Sequence, residues 1–335
     1  MALVFDKMNQ EIVSIIVPMY KVEKYVAKCL DSLLAQTYSA IRIYAISDGS
    51  PDKSYDIAKE YAKRDARIIP LKKKNGGYGS VLEMAIKMID TEYFIICDPD
   101  DYLREDAVEK LFNFAHQNNL DMVVGAKNLV YSDNEEVVYS SSWGEMPRAL
   151  PNKIYTDIKH FFFLEPSPHS KLYRTNLCKD IKFPHKVNYT DNLLYLLTLG
   201  RVNKIAYLEE ALSYYLIDRP GNSTVVINEK TFNDQLIVLN SILEQAKGLN
   251  REIQSYYVIL FYDVLDVLDL MKHHATKEVK EKYFLAYTDL IIRLSRYKKD
   301  ILNILPNLSK KRRMVYYFLL SPSYSRKVLM KMIRL

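Results

Sequence analysis

Three carboxylates stand within four residues, at Asp98, Asp100 and Asp101, directly after the apolar run 93–97. The run is short and rich in aromatic and β-branched residues, which predicts a buried strand. Carboxylates this close repel one another, and such hard oxygen ligands suit Mg²⁺ or Mn²⁺. Because ligands of open α/β sheets bind beyond the carboxyl ends of the strands, the cluster predicts a divalent-metal site that handles a phosphate. The alternative is a solvated acidic turn before a helix that begins near Glu105.

Three more polar loops follow earlier predicted strands, at 18–20, 47–50 and 75–80. Tyr20 offers an aromatic face for a base, and Asp48 offers a carboxylate for a base imide N–H. The third loop is rich in glycine and exposes backbone N–H groups at the start of a helix, where anions bind. It fits neither the P-loop nor the dinucleotide fingerprint. Singly each loop has an ordinary explanation, but four at successive strand ends predict a shared ligand site.

The elements that must position these loops alternate between strand and helix. Strands are predicted at 13–17, 41–46, 67–71 and 93–97, with helices at 22–36, 53–64 and 80–89. This alternation implies parallel pairing in an α/β sheet. Later segments are a strand at 137–142, helices at 157–164 and 192–199, and strands at 204–208 and 211–216. From residue 229 the pattern is helical throughout, at 229–247, 251–273, 276–304, 310–320 and 323–334.

Composition and cysteine usage narrow the class of protein. The 335 residues are 49% hydrophobic and 26% charged, as in a folded globular protein. Cys29, Cys97 and Cys178 lie far apart without metal-ligand spacing, which favours a reduced, cytoplasmic compartment. We find no signal peptide and no apolar run of the ~18 residues that span a bilayer.

The C-terminal tail is strongly basic. From Arg296 onward there are eleven basic residues against Asp300, so the tail carries +10 of a chain whose net charge is +6. These charges alternate with aromatic and aliphatic residues, a pattern typical of amphipathic helices at an anionic membrane surface. We expect that partner rather than nucleic acid. The alternative is helices that pack on the rest of the protein with a solvated basic face.

Together these segments resemble the family 2 glycosyltransferases of bacterial polysaccharide assembly. The resemblance covers about residues 12–225 and is carried by Val13–Tyr25, Ser32–Tyr38, Ser47–Ser50, Asn75–Gly77, Asp98–Asp101, Lys171–Arg174, Thr190–Asp191 and Tyr214–Ser223. It implies the GT-A (nucleotide-diphospho-sugar transferase) fold, with a mostly parallel central sheet. The implied domains are a catalytic domain over 1–225, with a nucleotide half at about 12–125 and an acceptor half at about 126–225, and a helical domain over 226–335.

The resemblance also implies a role for individual residues. The donor nucleotide would be held by Pro18, Tyr20, Glu23, Asp48, Asn75, Gly76 and Asp98, and its diphosphate by Arg219 and Ser223. A Mn²⁺ or Mg²⁺ ion would be bound by Asp100 together with Asp98 and Asp101.

Enzymes of this family invert the anomeric centre by direct displacement, which requires one carboxylate base for the acceptor hydroxyl. Asp191 stands at the family's acidic position, and its alternative role is a helix N-cap. His169 and Lys171 are candidate acceptor ligands; the alternatives are a structural histidine and a surface strand.

We therefore predict a metal-dependent, inverting glycosyltransferase. It would move a sugar from a nucleotide-sugar, most simply a UDP-sugar, to a glycan that is lipid-linked, in surface polysaccharide synthesis at the inner face of a membrane. A nucleotidyltransferase is one alternative, although it needs no acceptor-activating carboxylate such as Asp191. A nucleotide- or glycan-binding module with an inactive site is the other.

Overall fold

The computed structural model describes residues 11–131, 136–141, 149–161, 164–219, 227–247, 249, 254–304 and 309–335. The chain divides into two compact units. The first contains Met1–Lys186 and Arg201–Asn222, and the second contains Val187–Gly200 and Ser223–Leu335. Residues 187–200, grouped above with the catalytic domain, therefore belong to the mostly helical second unit. The domain boundary near residue 225 stays a prediction.

One sheet of ten strands forms the centre of the first unit. Its strands are β1 (Val13–Met19), β2 (Ile41–Ser47), β3 (Ile68–Lys72), β4 (Tyr93–Ile96), β5 (Tyr102–Leu103), β6 (Met122–Val130), β7 (Val137–Ser140), β8 (Ile154–Tyr155), β9 (Lys171–Arg174) and β10 (Ile205–Leu216). The strand order is β3-β2-β1-β4-β9-β6-β10-β5, while β7 pairs with β6 and β8 pairs with β10.

Strands β3, β2, β1 and β4 run parallel to one another, and β6 runs parallel to β10. Strand β9 is inserted antiparallel between β4 and β6. All seven residues of β1 are buried, as expected for a parallel strand that is covered on both faces. The parallel strands end at one edge, so the loops after β1, β2 and β4 converge there.

Among the described residues of the first unit, four α-helices cover the sheet: α1 (Val26–Leu34), α2 (Ser54–Arg64), α3 (Tyr78–Met88) and α4 (Ala107–Asn118). The apolar face of α1 shows helical spacing, and its buried residues Val26, Cys29, Leu30 and Leu33 join the core. All three cysteines of the chain are buried and free, as expected of core residues.

The described helices of the second unit are α5 (Thr190–Leu199), α6 (Glu229–Ala246), α7 (Gln254–His274), α8 (Lys277–Leu294), α9 (Lys298–Ile304), α10 (Lys310–Leu319) and α11 (Pro322–Ile333). The helical character predicted from residue 229 onward is confirmed. None of the helices in the described ranges is long and apolar enough to span a membrane.

The structure corrects the predicted elements in several places, and the short strands β5 and β8 were not predicted. Strand β6 was missed, and the two strands predicted at 204–208 and 211–216 are one strand, β10, with register shifts. The helix predicted at 157–164 is a 3₁₀ turn at Ile158–Phe161. The helix predicted at 276–304 breaks at the 3₁₀ turn Ser295–Tyr297, where neither proline nor glycine marks the break. Residue 142 of the strand predicted at 137–142 lies outside the described residues.

Candidate active site

The three carboxylates that follow β4 have different surroundings. Asp98 and Asp100 are partly accessible, whereas Asp101 is buried. The Tyr78 hydroxyl donates to Oδ1 of Asp98 at 2.8 Å. Nε of Arg219 lies 2.6 Å from Oδ2 of Asp100. The cluster is therefore a set of separately held side chains, and the alternative of a freely solvated acidic turn does not describe it.

Asp101 is held from two sides. Its Oδ1 accepts the backbone N–H of Leu216 at 2.8 Å, and its Oδ2 lies 2.7 Å from Nε2 of His169. Burial, with the charge of Asp100, raises the pKa of Asp101 well above its ordinary value. Burial, with the charge of Lys127, holds the pKa of His169 well below its ordinary value. Both shifts favour a neutral pair, and a divalent cation nearby would instead favour the ionised carboxylate.

The residues at this place fit a divalent cation. Within the described part of the chain, Asp98, Asp101 and His169 each offer one ligand atom, and the three atoms lie within 4.8 Å of one another. Carboxylate oxygens are the ligands that Mg²⁺ and Mn²⁺ prefer. The sequence named Asp98, Asp100 and Asp101 as ligands; the structure groups the first and last of them with His169 and pairs Asp100 with Arg219. The ligand set stays a prediction.

Two fully buried lysines support the loop that carries His169. Nζ of Lys127 lies 2.6 Å from Oε1 of Glu165, and Nζ of Lys171 donates to the carbonyl oxygens of Glu165, at 2.9 Å, and of Ser167. Burial acts to raise the pKa of Glu165, but the charge and the hydrogen bond of Lys127, together with further positive charge nearby such as that of Lys171, outweigh burial and lower that pKa. The acceptor roles of His169 and Lys171 stay predictions, since both side chains contact interior groups.

The sequence analysis missed Lys127 and Tyr78. A lysine inside the apolar run 122–130 is the signal that points to Lys127, because a buried ammonium needs a partner. Tyr78 carried no distinct signal, since it is one of 27 tyrosines in the chain.

Asp48 organises the glycine-rich loop. Its Oδ1 accepts from Nζ of Lys73 at 2.8 Å and from the N–H of Gly76 at 2.9 Å, and its Oδ2 accepts from the N–H of Gly77 at 2.7 Å. The amide of Asn75 donates to the Asp48 carbonyl oxygen at 3.0 Å. Gly77 has φ +85°, and a Cβ there would lie 2.8 Å from the backbone of residue 186. The anion at these N–H groups is therefore the Asp48 carboxylate itself.

The end of β1 contributes the remaining predicted donor residues. Pro18 is buried and pairs in register with Ile46, whereas the Tyr20 side chain is 44% exposed. Oε2 of Glu23 accepts the backbone N–H of Lys53 at 3.0 Å. Ser223, the last predicted donor residue, lies outside the described residues.

Asp191 lies in the second unit, in the first turn of α5. The N-cap position is Tyr189, with φ 62° and no side-chain capping bond, so the alternative role of Asp191 as the N-cap residue does not hold. The next residue, Asn192, donates to Oδ2 of Asp263 at 3.4 Å. Burial, with the charge of Asp266, raises the pKa of Asp263 to about 7.

Comparison with known proteins identifies the class of protein to which this fold and site belong. Residues 14–182, half of the chain, match the glycosyl transferase family 2 model, and the chain belongs to that family.

Glycosyltransferase GlyA of Streptococcus pneumoniae is 30% identical over 232 residues, which are 65% of this chain and 32% of that protein. Minor teichoic acid biosynthesis protein GgaB of Bacillus subtilis is 26% identical over 304 residues, or 86% of this chain and 32% of that protein. The matches thus span about a third of the length of these relatives.

A solved structure shows the fold. The crystal structure of S. aureus TarS 1–349 in complex with UDP-GlcNAc superposes with a TM-score of 0.71 at 20% identity, covering 95% of this chain and 90% of that chain. The predicted GT-A fold with an all-helical C-terminal region is confirmed.

Proposed function

We propose that the protein is a metal-dependent, inverting glycosyltransferase that moves a sugar from a UDP-sugar to a glycan. The observation that carries this proposal is that two polar loops of this family 2 chain meet at one place. The Asp48 loop and the acidic cluster meet through the Tyr78–Asp98 hydrogen bond, at the edge where the parallel strands end. The UDP-GlcNAc complex of TarS supports a uridine nucleotide as the donor.

The donor nucleotide would lie across this edge. Tyr20, which is exposed, would stack on the base beside Pro18, while Asp48 and Asn75 would bond its polar edge. Asp98 would accept from the ribose or the sugar. Glu23 and Gly76 would complete this donor-binding set.

Cations would neutralise the charge of the leaving diphosphate. When bound at Asp100, Asp98 and Asp101, Mn²⁺ or Mg²⁺ supplies positive charge that offsets the charge developing on the departing UDP. Arg219 would leave Asp100 and donate to the diphosphate, assisted by Ser223. By the resemblance, both residues belong to a segment that closes over the donor in family 2 glycosyltransferases.

The acceptor side of the reaction would depend on Asp191. Its carboxylate would remove the proton of an acceptor hydroxyl while that oxygen attacks the anomeric carbon from the face opposite UDP. The new glycosidic C–O bond forms as the bond to the diphosphate breaks, and the configuration inverts. The family resemblance at Thr190–Asp191 supports this role, and Asp191 lies in the first turn of α5 rather than at the N-cap.

We further propose that the acceptor glycan is lipid-linked and that the protein works in the cytoplasm, peripherally at the inner face of the cell membrane. The name of GgaB, a minor teichoic acid biosynthesis protein, supports a surface polysaccharide as the product class.

A two-part experiment tests the proposal. Thermal stability is measured with UDP-, GDP-, dTDP- and CMP-sugars, each with Mn²⁺ or with EDTA, and we expect stabilisation by a UDP-sugar only with the metal. Transfer is then measured for Asp191→Asn and for the exposed control Asp180→Asn. The first variant should bind the donor normally but lose about 10²–10⁴ in rate, and the control should be unchanged. If no nucleotide-sugar stabilised the protein in a metal-dependent way, the proposal would fail.

A further inference from the structure

Helix α10 turns an apolar stripe towards solvent. Met314, Tyr317 and Phe318 follow helical i, i+3, i+4 spacing and are 56%, 51% and 37% exposed. Leu319 is the buried residue of this helix. Because the apolar stripe of a helix in a globular protein normally faces the core, an outward stripe indicates a surface that contacts something else.

The exposed apolar surface continues onto α11. The Phe318 ring centroid lies 5.6 Å from that of Tyr317 and 5.3 Å from that of Tyr324, both in edge-to-face geometry. Helix α11 buries one face of its own, Ser325, Leu329 and Ile333. Tyr324 and Met330 point away from that face and are 52% and 43% exposed. The three contiguous rings and the two exposed methionines of the same helices are together called the aromatic face: Met314, Tyr317, Phe318, Tyr324 and Met330.

Positive charge is concentrated in the segment of the chain that carries the aromatic face. Residues 301–335 contain eight basic residues and no acidic one, and all eight are exposed: Lys310, Lys311, Arg312, Arg313, Arg326, Lys327, Lys331 and Arg334. Among the described residues none of these eight side chains forms a salt bridge.

Four of these charges occupy the first turn of α10, next to the positive end of the helix dipole, where cations are unfavourable. Folding alone therefore gives no reason for their position, and an external anion would offset the repulsion.

We propose that the aromatic face and its basic rim dock this protein on an anionic lipid bilayer. Tyrosine and phenylalanine suit the boundary between head groups and acyl chains, and lysine and arginine suit the head-group charge. The ten residues of α10 and twelve of α11 are too short to span a bilayer, so the helices would lie in its surface. The exposed methionines favour a lipid over a nucleic acid, because nucleic-acid-binding surfaces rely on aromatic stacking and positive charge.

The purpose of such docking rests on the proposed function, because a lipid-linked acceptor is confined to the membrane. The docking itself is tested without any transfer. The full chain is sedimented with vesicles of equal parts phosphatidylglycerol and phosphatidylcholine, or of phosphatidylcholine alone. We expect partition onto the anionic vesicles only, and its loss in about 1 M NaCl, where the Debye length is about 3 Å.

Three sets of substitutions separate the effect of the basic residues on α10, the effect of the apolar residues on α10, and the effect of a lower net charge. The charge set replaces Lys310, Lys311, Arg312 and Arg313 with Gln, and the apolar set replaces Met314, Tyr317 and Phe318 with Ser. The matched control replaces Lys63, Arg64, Lys179 and Lys182 with Gln, so that net charge falls by the same amount at exposed positions of the first unit. We expect each of the first two sets to lower the partition coefficient at least tenfold and the control to stay within about twofold.

Metal-dependent stabilisation by a UDP-sugar should persist in all three sets, which separates loss of docking from failure of the proposed function. Unchanged partition of the charge set or of the apolar set would overturn the docking proposal. So would absence of binding to anionic vesicles by the parent protein, including the case in which it retains a fluorescent RNA or DNA oligonucleotide instead.

Discussion

Nε2 of His169 lies 2.7 Å from Oδ2 of Asp101, and both side chains are buried. The two residues are 68 positions apart in the chain, so the fold alone brings the imidazole to the acidic cluster. The contact fixes the orientation of one carboxylate in the group that fits a divalent cation, whether or not His169 is itself a ligand.

His169→Ala should therefore weaken Mn²⁺ binding by about 10–100-fold, the range found when supporting residues of metal sites are removed. Free Mn²⁺ is counted by electron paramagnetic resonance during a titration of the protein. His185→Ala is the matched control, because this histidine is exposed and pairs with Glu83. Equal Mn²⁺ affinity in the two variants would show that His169 does not support the metal site.

Arg219 and a metal ion bound as proposed would compete for Asp100. The guanidinium Nε lies 2.6 Å from the carboxylate, so a cation must displace it to use that oxygen. Arg219→Gln should raise Mn²⁺ affinity in the absence of donor, by about 3–10-fold for loss of roughly 1 kcal/mol of competing ion-pair energy. The same variant should lower the transfer rate, because the diphosphate loses a donor. Unchanged metal affinity would contradict the competition; Arg201→Gln is the control.

Asp48 should be a stability residue as well as a donor residue. Asp48→Ala leaves the N–H groups of Gly76 and Gly77 and the ammonium of Lys73 without their acceptor, so we expect a loss of about 2–4 kcal/mol in the free energy of unfolding. Urea denaturation measures it. The control is Asp56→Ala, whose pairing with Lys59 is fully exposed and should contribute little to stability. A loss no larger than the control's would mean that the loop is held by other contacts.

Asp263 should make the stability of the protein depend on pH. Its folded-state pKa of about 7 is above the ordinary 3.8, so the folded protein holds a proton that the unfolded chain releases. The contribution of Asp263 to the free energy of unfolding should therefore fall as pH rises from about 4 to about 7 and then level off.

Asp263→Asn should remove the part of this slope that Asp263 contributes and stabilise the protein at pH 8 by about 2 kcal/mol. The full rise in the pKa of Asp263 corresponds to roughly 4 kcal/mol. We expect about half of that, because the side chain is partly accessible and water screens its charge. Urea denaturation across pH measures both effects, and Asp289→Asn, at an exposed carboxylate, is the control. The same change in the free energy of unfolding with pH in the parent protein and in Asp263→Asn would contradict the burial argument.

The sequence predicted the elements whose burial is continuous. Strands β1, β2 and β4 are mostly apolar and almost wholly buried, and they end at turn residues, so their loops were predicted at the same edge. Strands β6 and β9 each contain a buried lysine, Lys127 and Lys171, which interrupts the apolar pattern. Those lysines are buried because Glu165 and the carbonyl groups beside it receive them.

Sequence patterns also did not predict which side chains pair with one another inside the candidate site. The carboxylates were found from spacing alone, but their partners His169, Leu216 and Arg219 come from distant parts of the chain. Spacing along the sequence gives residue types and strand ends. It does not give which side chains meet across a sheet, because that depends on the strand order.

The bonds from Asp48 to Gly76 and Gly77 have a consequence for how a donor would be recognised. A glycine-rich loop left loose would have to be ordered by each incoming ligand, which subtracts from affinity. Here the ordering happens once, during folding, because the loop is bound to a carboxylate of the protein. The nucleotide would meet a preorganised surface, so selection among donors would depend on shape at the moment of encounter rather than on induced closure of this loop.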